Sequence, residues 1–471
     1  MSDLLKQDTY LNNVHKIKQK FLNRLSYPNI VMDYDDTDTI DLSDFIPKNH
    51  ICLSYGMPQE LNDQEPFLHQ LFWKHELFII REYEKYFGSK INELAGYVAS
   101  GSTEGNFVAI WWLKLFLCSR NNDLIKSLEL KVIKLQEMIK IINETPENNL
   151  SKEMLLEYKS NNIIITKYLS QLQSLKNPYI IYSDQSHFMI EKIIMTLSLK
   201  SIKICTINGK INVIELQNRV LQLQENDKYA QFIFFANLGT TTHGAFDDIL
   251  SVTKLIQRIN NSNDDSFNYA VMHCDGAYGG QLLPIIYANN KIKNYFRELN
   301  ISSLSISMHK LMGTNYVNGL ILINKEILVA ISSTFPETEY LQNIQDLTFS
   351  GSRSTQPIIA LYNKVKKLNL GESHEYFKLW YIRGQEKNKM FYDDLIKFID
   401  KKLIVYDVDN LNILIPKPSK ELIHKYYLMP SNDHVSCNLF SNHVNDQLIK
   451  QFLNDYYNDG VIQKNYILET R

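Results

Sequence analysis

The stretch Val271-Met272-His273-Cys274-Asp275-Gly276-Ala277 is a largely apolar run that ends in an aspartate and two small residues. A second stretch, Ser305-Ile306-Ser307-Met308-His309-Lys310, has the same form and ends in a lysine. Each pattern predicts a short buried strand with one chemically committed side chain at its end. A lysine amine can form a Schiff base with an aldehyde, and a carboxylate can keep a pyridine nitrogen protonated. The pair is therefore what a site for pyridoxal phosphate (PLP) requires.

Further short apolar runs surround these two and are separated by helical patterns. They lack polar–apolar alternation, as is typical of strands that are covered on both faces. The strand candidates are Tyr179–Ser183, Ile202–Thr206, Phe232–Asn237, Val271–Asp275, Ser303–Ile306 and Gly319–Ile323. Strands spaced by helices predict a layered α/β domain.

The rest of the chain divides around this α/β region. Residues 1–60 are interpreted as an N-terminal arm with loops, and residues 61–325 as the large domain. Within the large domain, 61–118 are predicted to be helical, with breaks at Gly88 and at the loop 100–103. Residues 326–471 are predicted to form a smaller α+β C-terminal domain.

Residues 121–177 differ from their surroundings because they are rich in Lys, Glu, Leu and Ile and nearly free of Gly and Pro. Apolar residues recur at helical spacing, and Pro146 with the polar residues after it divides the segment. This pattern predicts a hairpin of two helices inserted in the large domain. Two interpretations stay open, a tolerated surface insertion and an arm that binds a protein partner.

Composition narrows the class of protein. The 471 residues carry a formal charge of −2, which gives no reason to expect nucleic acid or an anionic membrane as a partner. The five cysteines are scattered without a CxxC pair, as is typical of reduced thiols, and we expect no metal site. The N-terminus has no apolar signal-peptide core, and no run approaches the ~20 apolar residues of a membrane span. We therefore expect a cytoplasmic protein.

Three further segments contain residues suited to binding. Ser100-Gly101-Ser102-Thr103-Glu104-Gly105-Asn106 precedes an apolar helix, where free N–H groups can bind an anion. His187 follows a predicted strand, from which an imidazole can stack on a conjugated ring. The run from Asn237 to Asp248 combines glycines and threonines after another strand. Taken singly, the three have plain structural interpretations as an N-cap, a capping or surface histidine, and a turn.

The order of these five motifs resembles that of the group II PLP-dependent amino-acid decarboxylases, most of all the bacterial histidine decarboxylases and plant serine decarboxylases. The resemblance runs from about Ser26 into the C-terminal part and leaves out residues 121–177. It implies the aspartate aminotransferase-like fold (fold type I), with a large PLP-binding domain of mostly parallel sheet and a smaller C-terminal domain. It also implies PLP as cofactor and a homodimer with the active site near the interface.

The resemblance assigns roles to individual residues. Lys310 corresponds to the Schiff-base lysine, Asp275 to the partner of the pyridine nitrogen, and His187 to the stacking histidine. The remaining cofactor contacts that it implies are Ser102, Thr103, Thr241, Ala277, Ser307 and His309, with Asp247 in the segment beside the ring.

The chain departs from the family pattern at three places. Met308 replaces a glycine before the His-Lys pair, and Ser102 replaces the second glycine of the phosphate loop. Ser354-Thr355-Gln356 stands where the family often has Asn-Gly-His, in a region that can shape the substrate site.

Together these residues predict decarboxylation of an L-amino acid, with histidine as the first expected substrate, serine the second and an aromatic amino acid the third. Arg353 and Tyr340 are the candidate substrate contacts, although a structural salt bridge is an equal interpretation of Arg353. Two alternatives remain: another PLP reaction, such as that of an aldehyde lyase or aminotransferase, and a non-catalytic scaffold with this fold.

Overall fold

The computed structural model describes residues 53–55, 57–58, 72–146, 151–262, 267–339, 344–441 and 443–466. The predicted arm 1–60 lies outside these residues, apart from 53–55 and 57–58. The helices, in chain order from α1 to α15, are Trp73–Tyr86, Ser102–Arg120, Asn122–Glu144, Lys152–Lys176, Met189–Leu197, Val213–Asn226, Ile249–Asn260, Leu283–Ile286, Tyr295–Glu298, Lys325–Ser332, Thr355–Leu368, Glu375–Leu395, Lys420–Tyr426, Asp446–Tyr457 and Gly460–Asn465. The strands, from β1 to β16, are Leu53–Tyr55, Leu94–Ala99, Tyr179–Ser183, Lys200–Ile204, Thr206–Ile207, Lys210–Ile211, Gln231–Asn237, Tyr269–Asp275, Ser303–Ser307, Gly319–Asn324, Glu337–Thr338, Ile344–Gln345, Ser352–Ser354, Asn412–Pro416, Met429–Ser431 and His434–Asn438.

A seven-stranded sheet in the order β2-β10-β9-β8-β7-β3-β4 forms the centre of the large domain. Strands β4, β3, β7, β8 and β9 are parallel, and β10 is antiparallel to both β9 and β2. Alternate residues of β7 enter two different apolar clusters: Phe234 packs in the cluster that contains Ile256 of α7, and Phe235 in the one that contains Val108 of α2. The sheet is therefore covered on both faces, which confirms the predicted α/β class with a mostly parallel sheet.

Strand β2 contradicts the prediction that residues 61–118 are helical between their two breaks. Leu94–Ala99 is a strand that pairs along its whole length with β10. Gly96 lies where a Cβ atom would overlap the carbonyl oxygen of Ile321, so the sheet needs a glycine at this position. Residues 94–99 form a short apolar run between two helices, and the hydrophobic periodicity of such a short run does not distinguish a strand from a helix.

The carboxyl ends of all strands of this sheet except β10 lie at one edge. β3, β7, β8 and β9 end at Ser183, Asn237, Asp275 and Ser307. β2 has the same direction, because β10 reverses the chain between it and β9, and its end at Ala99 leads into α2. Ligand sites of open α/β sheets lie at this edge, which is where the sequence motifs converge.

The predicted hairpin contains the helices α3 and α4, which pack against each other through Ile125, Leu128 and Ile165. At the base of this hairpin, the Asn121 amide faces the side-chain oxygen of Gln231, the first residue of β7. The hairpin therefore joins the domain at the edge opposite the carboxyl ends of the strands. Although both helices are long, no helix in the described parts of the chain is apolar enough to cross a membrane.

The C-terminal part contains the antiparallel sheet β14-β16-β15, with α13 and α14 beside it. These elements share an apolar core that runs from Phe391 to Ile462. Residues between the predicted boundary at 326 and this core pack elsewhere: Ile331 of α10 and Leu361 of α11 lie in the clusters of the large domain. The smaller α+β unit is present, and its boundary at 326 stays a prediction.

Candidate active site

A cleft of about 250 Å³ lies at the carboxyl edge of the sheet. Its lining comes from the start of α2 and from the segments that follow β3, β7, β8 and β9. The lining includes the predicted cofactor contacts Ser102, Thr103, His187, Thr241, Asp275, Ala277, Ser307, His309 and Lys310. The structure thus brings together side chains from segments that are far apart in the sequence.

Lys310 lies in the turn after β9, where its backbone N–H donates to the Ser307 carbonyl over 3.3 Å. Burial lowers the pKa of its amine to about 8, and the negative charge of Asp275 opposes this shift. Since a lysine in water has a pKa near 10.4, burial makes far more of the neutral, nucleophilic amine available near pH 7 to 8.

Asp275 is the last residue of β8 and is 7% exposed. Its Oδ1 atom accepts a hydrogen bond of 3.0 Å from the backbone N–H of Ala277, and its carbonyl accepts one of 2.8 Å from Leu238 N–H. These bonds hold the residue at the floor of the cleft, beside Lys310. A nearly buried carboxylate at this place favours a positively charged partner in the cleft.

His187 is half-buried in the loop between β3 and α5. Its Nδ1 atom accepts a hydrogen bond of 3.3 Å from Met189 N–H, which leaves Nε2 to carry the proton of the neutral ring. Burial lowers the pKa of His187, and the charge of Asp275 opposes the shift. A neutral imidazole with a fixed tautomer is suited to stacking on a conjugated ring.

The start of α2 also lines the cleft. Gly101 precedes the helix with φ 155°, a backbone conformation that favours glycine. The hydroxyls of Ser102 and Ser307 are hydrogen-bonded over 2.6 Å, which ties the helix start to the end of β9. Glu104 accepts a bond of 2.9 Å from Ser100 N–H. The N-terminal end of a 19-residue helix, with hydroxyls beside its free N–H groups, is suited to binding a phosphate.

Asp247 lies behind the cleft instead of lining it. Its carboxylate accepts hydrogen bonds of 2.7 Å from the backbone N–H groups of both Asn237 and Ile211. Burial raises the pKa of Asp247 to about 6, although these bonds favour the charged form. The residue therefore supports the end of β7, and Thr241 of the same segment reaches the cleft.

Comparison with known proteins identifies the family. The profile of the pyridoxal-dependent decarboxylase conserved domain matches residues 152–397. The chain belongs to this family. The match includes α4, so the expectation that residues 121–177 lie outside the family resemblance is wrong for the second helix of the hairpin.

Curated relatives of this pyridoxal-dependent decarboxylase family member include histidine decarboxylases. That of Vibrio anguillarum is 28% identical over 255 residues, which are 54% of this chain and 60% of the relative. That of Morganella morganii is 25% identical over 279 residues, or 59% of this chain and 68% of the relative. The chain thus spans about 60% of the length of the Vibrio anguillarum enzyme.

Solved structures share the fold. An L-methionine decarboxylase from Streptomyces sp. 590 superposes with a TM-score of 0.67 at 16% identity, over 97% of this chain and 95% of that one. A glutamate decarboxylase from Lactobacillus brevis has a TM-score of 0.59 at 14% identity, over 92% of this chain and 87% of that one. These likenesses confirm the fold that the sequence resemblance implied.

Two departures from the decarboxylase pattern have a structural explanation. Met308 is completely buried and faces α1, where the Tyr83 hydroxyl lies 3.3 Å from its sulfur. Its side chain therefore fills the core and does not enter the cleft. At the phosphate loop, the hydroxyl of Ser102 is hydrogen-bonded to that of Ser307, so this replacement of a glycine adds a contact between the loop and the end of β9.

Of the two candidate substrate contacts, Arg353 is described by the structure, and it is not part of the cleft lining. Arg353 is buried on β13, where its guanidinium forms a salt bridge with Glu76. The salt bridge agrees with the structural interpretation of Arg353. Residues 354–356, where the chain departs from the family pattern, are also not part of the cleft lining. Tyr340 lies outside the described residues.

The lining also includes Gln185, Asn237, Asn106 and Met189, to which the sequence motifs gave no role. Oε1 of Gln185 lies 3.2 Å from Nδ1 of His243, in the segment that contains Thr241. Asn237 is the last residue of β7, and the position at a strand end was the available signal for it.

The cofactor of the pyridoxal-dependent decarboxylases, PLP, fits this set of groups. Lys310 offers an amine for the aldehyde, Asp275 a carboxylate for the ring nitrogen, and the start of α2 an N–H-rich end for the phosphate. His187 and Ala277 offer a flat ring and a small side chain for the two faces of the cofactor ring.

Proposed function

We propose that this protein removes the carboxyl group of an L-amino acid as CO2 and releases the corresponding amine, with PLP as cofactor. The observation that carries the proposal is the convergence of Lys310, Asp275 and His187 on one cleft, with the pKa of Lys310 lowered to about 8. Membership of the pyridoxal-dependent decarboxylase family supports it.

Lys310, Asp275 and His187 would each have a different role in the reaction. Lys310 would hold the cofactor covalently and give way to the amine of the substrate. Asp275 would keep the ring nitrogen protonated, and His187 would fix the plane of the ring. When bound, PLP supplies an electron sink for the electrons of the breaking Cα–carboxylate bond. The cleft must then orient that bond perpendicular to the ring.

Histidine is the substrate that we propose first, and serine second. The histidine decarboxylases among the curated relatives favour histidine, at identities of 24% to 28%. The Ser-Thr-Gln sequence at 354–356 differs from the common family pattern, so the substrate assay includes serine and the aromatic amino acids.

The decisive experiment measures CO2 and amine release across the common L-amino acids. Purified protein is reconstituted with PLP, and each amino acid is supplied separately. Release of CO2 with one matching amine supports the proposal and names the substrate. An aldehyde or a keto acid as the product would indicate another PLP reaction, and binding of PLP without any product would indicate a scaffold.

We further propose a cytoplasmic homodimer whose active site lies near the subunit interface. Two-fold dimers are the commonest closed assemblies, and the group II decarboxylases that the chain resembles have this arrangement. Light scattering of the active protein should give a mass of about twice 55.1 kDa. Full activity at the monomer mass would contradict the proposed dimer.

A further inference from the structure

His273 lies two residues before Asp275 on β8, so both side chains point to the same face of the sheet. The imidazole is completely buried and does not line the cleft. Its Nε2 atom is 2.7 Å from Oδ1 of Asn106, and its Nδ1 atom is 2.8 Å from Oγ of Ser303. His273 therefore bridges helix α2 on one side and strand β9 on the other.

Which atom donates in each of these two hydrogen bonds follows from the protonation state of the imidazole. Burial lowers the pKa of His273 to about 3, so the ring is neutral at physiological pH. A neutral imidazole has one donor and one acceptor. Because Oδ1 of Asn106 only accepts, Nε2 donates to it, and the hydroxyl of Ser303 donates to Nδ1. Both ring nitrogens are thus satisfied, as a buried polar side chain requires.

Asn106 connects this bridge to the cleft. It lies in the second turn of α2, four residues after Ser102, and is part of the cleft lining. Its Nδ2 atom is 3.7 Å from the sulfur of Met189, whose backbone N–H donates to His187. These contacts therefore form one series, which joins β9, β8, the start of α2 and the loop that contains His187.

We propose that His273 is a positioning residue that sets the distance between the carboxylate of Asp275 and the phosphate-binding start of α2. The inference rests on the proposed function. In PLP the ring nitrogen and the phosphate are separated by a fixed covalent frame, so the two protein groups that receive them must lie at a matching distance. A rigid imidazole that is bonded at both ends fixes the separation of strand and helix better than a flexible side chain would.

The test compares the binding of PLP with that of pyridoxal, which has the same ring and aldehyde but lacks the phosphate. Apoprotein is titrated with each compound, and the ratio of the two dissociation constants measures the contribution of the phosphate. In His273→Phe, we expect the Kd for PLP to rise about tenfold and that for pyridoxal to change less than about twofold. The matched control is Ser302→Ala, since Ser302 is a buried serine that bonds Met272 N–H of β8 and not His273.

Ser303→Ala serves as a milder second variant, because it removes one of the two bonds and keeps the imidazole. It should shift the ratio in the same direction by about threefold, and it decides the matter if His273→Phe does not fold. If PLP and pyridoxal lost affinity equally, or if the ratio of their dissociation constants equalled that of Ser302→Ala, the proposed role of His273 would be wrong. If the wild-type protein itself bound PLP no more tightly than pyridoxal, the proposed phosphate site would fail, and this inference with it.

Discussion

The guanidinium of Arg353 donates hydrogen bonds to both carboxylate oxygens of Glu76, one of them over 3.0 Å between Nη2 and Oε2. Glu76 is completely buried on α1, and the Arg353 guanidinium lies 4.8 Å above the ring of Tyr97 on β2. The pair therefore ties β13 to the helix and the strand that precede the phosphate loop.

Glu76→Gln should lower the free energy of unfolding by about 3 kcal/mol, because it leaves a buried guanidinium without its counter-charge. Urea denaturation of the holoenzyme measures this loss. The double variant Glu76→Gln/Arg353→Met should recover much of it. If Glu76→Gln left stability unchanged but raised KM for the amino acid, Arg353 would be a substrate contact after all.

Lys310→Ala should lower CO2 release by at least about 1,000-fold and remove the visible absorption of the lysine-bound cofactor. The reason is that no other amine lies in the lining of the cleft as described. Lys254→Ala, on the exposed side of α7, is the matched control and should behave as wild type. A Lys310→Ala protein that retained both signals would disprove the assignment of the site.

The rate at which apoprotein captures PLP should rise with pH, with a midpoint near pH 8, and level off above about pH 9. Only the neutral amine attacks the aldehyde, and burial places the pKa of Lys310 at about 8. Asp275 favours the charged ammonium, so Asp275→Asn should move the midpoint to lower pH. The reaction of PLP with free Nα-acetyl-lysine corrects for titration of the cofactor. A rate that kept rising to about pH 10 would show an unperturbed lysine.

Asp275→Asn should retain PLP but lower kcat by about 100-fold or more, because a neutral amide no longer stabilises the protonated ring nitrogen. Measured kcat and cofactor content together test this expectation. Asp248→Asn, a change from acid to amide at the exposed N-cap of α7, controls for general effects of the substitution. Near-normal turnover in Asp275→Asn would contradict the role given to this carboxylate.

Replacement of residues 121–176 by a short Gly/Ser linker should preserve PLP binding and decarboxylation. The chain ends to be joined are close, since the Cys118 sulfur lies 3.6 Å from the Lys176 carbonyl. The base of the hairpin also lies beside Gln231, at the start of β7. Asn237, which lines the cleft, is at the other end of this strand, ~20 Å away. A folded dimer without activity would show that the hairpin contributes to the active site.

Sequence patterns were sufficient for β3, β7 and β8 because these strands are largely apolar runs that lie between helical segments. The predicted run Tyr179–Ser183 matches β3 at both ends, and the predicted Phe232–Asn237 starts one residue after the start of β7. They were not sufficient for β2, whose strand character comes from pairing with β10 and from the space that Gly96 leaves for Ile321.

The same limit applies to the site. Roles could be predicted for Asp275, Lys310 and His187 because each lies at or just after the end of a recognisable strand and carries chemistry of its own. The salt bridge between Glu76 and Arg353 and the bridge through His273 depend on distances between elements that are remote in sequence. No local period or motif encodes such distances, because they arise only when the chain folds.

The pairing of β2 with β10 also affects how the protein is made. In the sheet, the described partner of β2 is β10, and Ala99 pairs with Gly319. At a synthesis rate of ~5–20 residues per second, β2 leaves the ribosome roughly ten to forty seconds before β10 can reach it. Contacts of such long range also form slowly. The cofactor cleft, which needs α2 held against β9, can therefore be completed only after most of the chain has been translated, and chaperones have a long interval in which to act on the nascent protein.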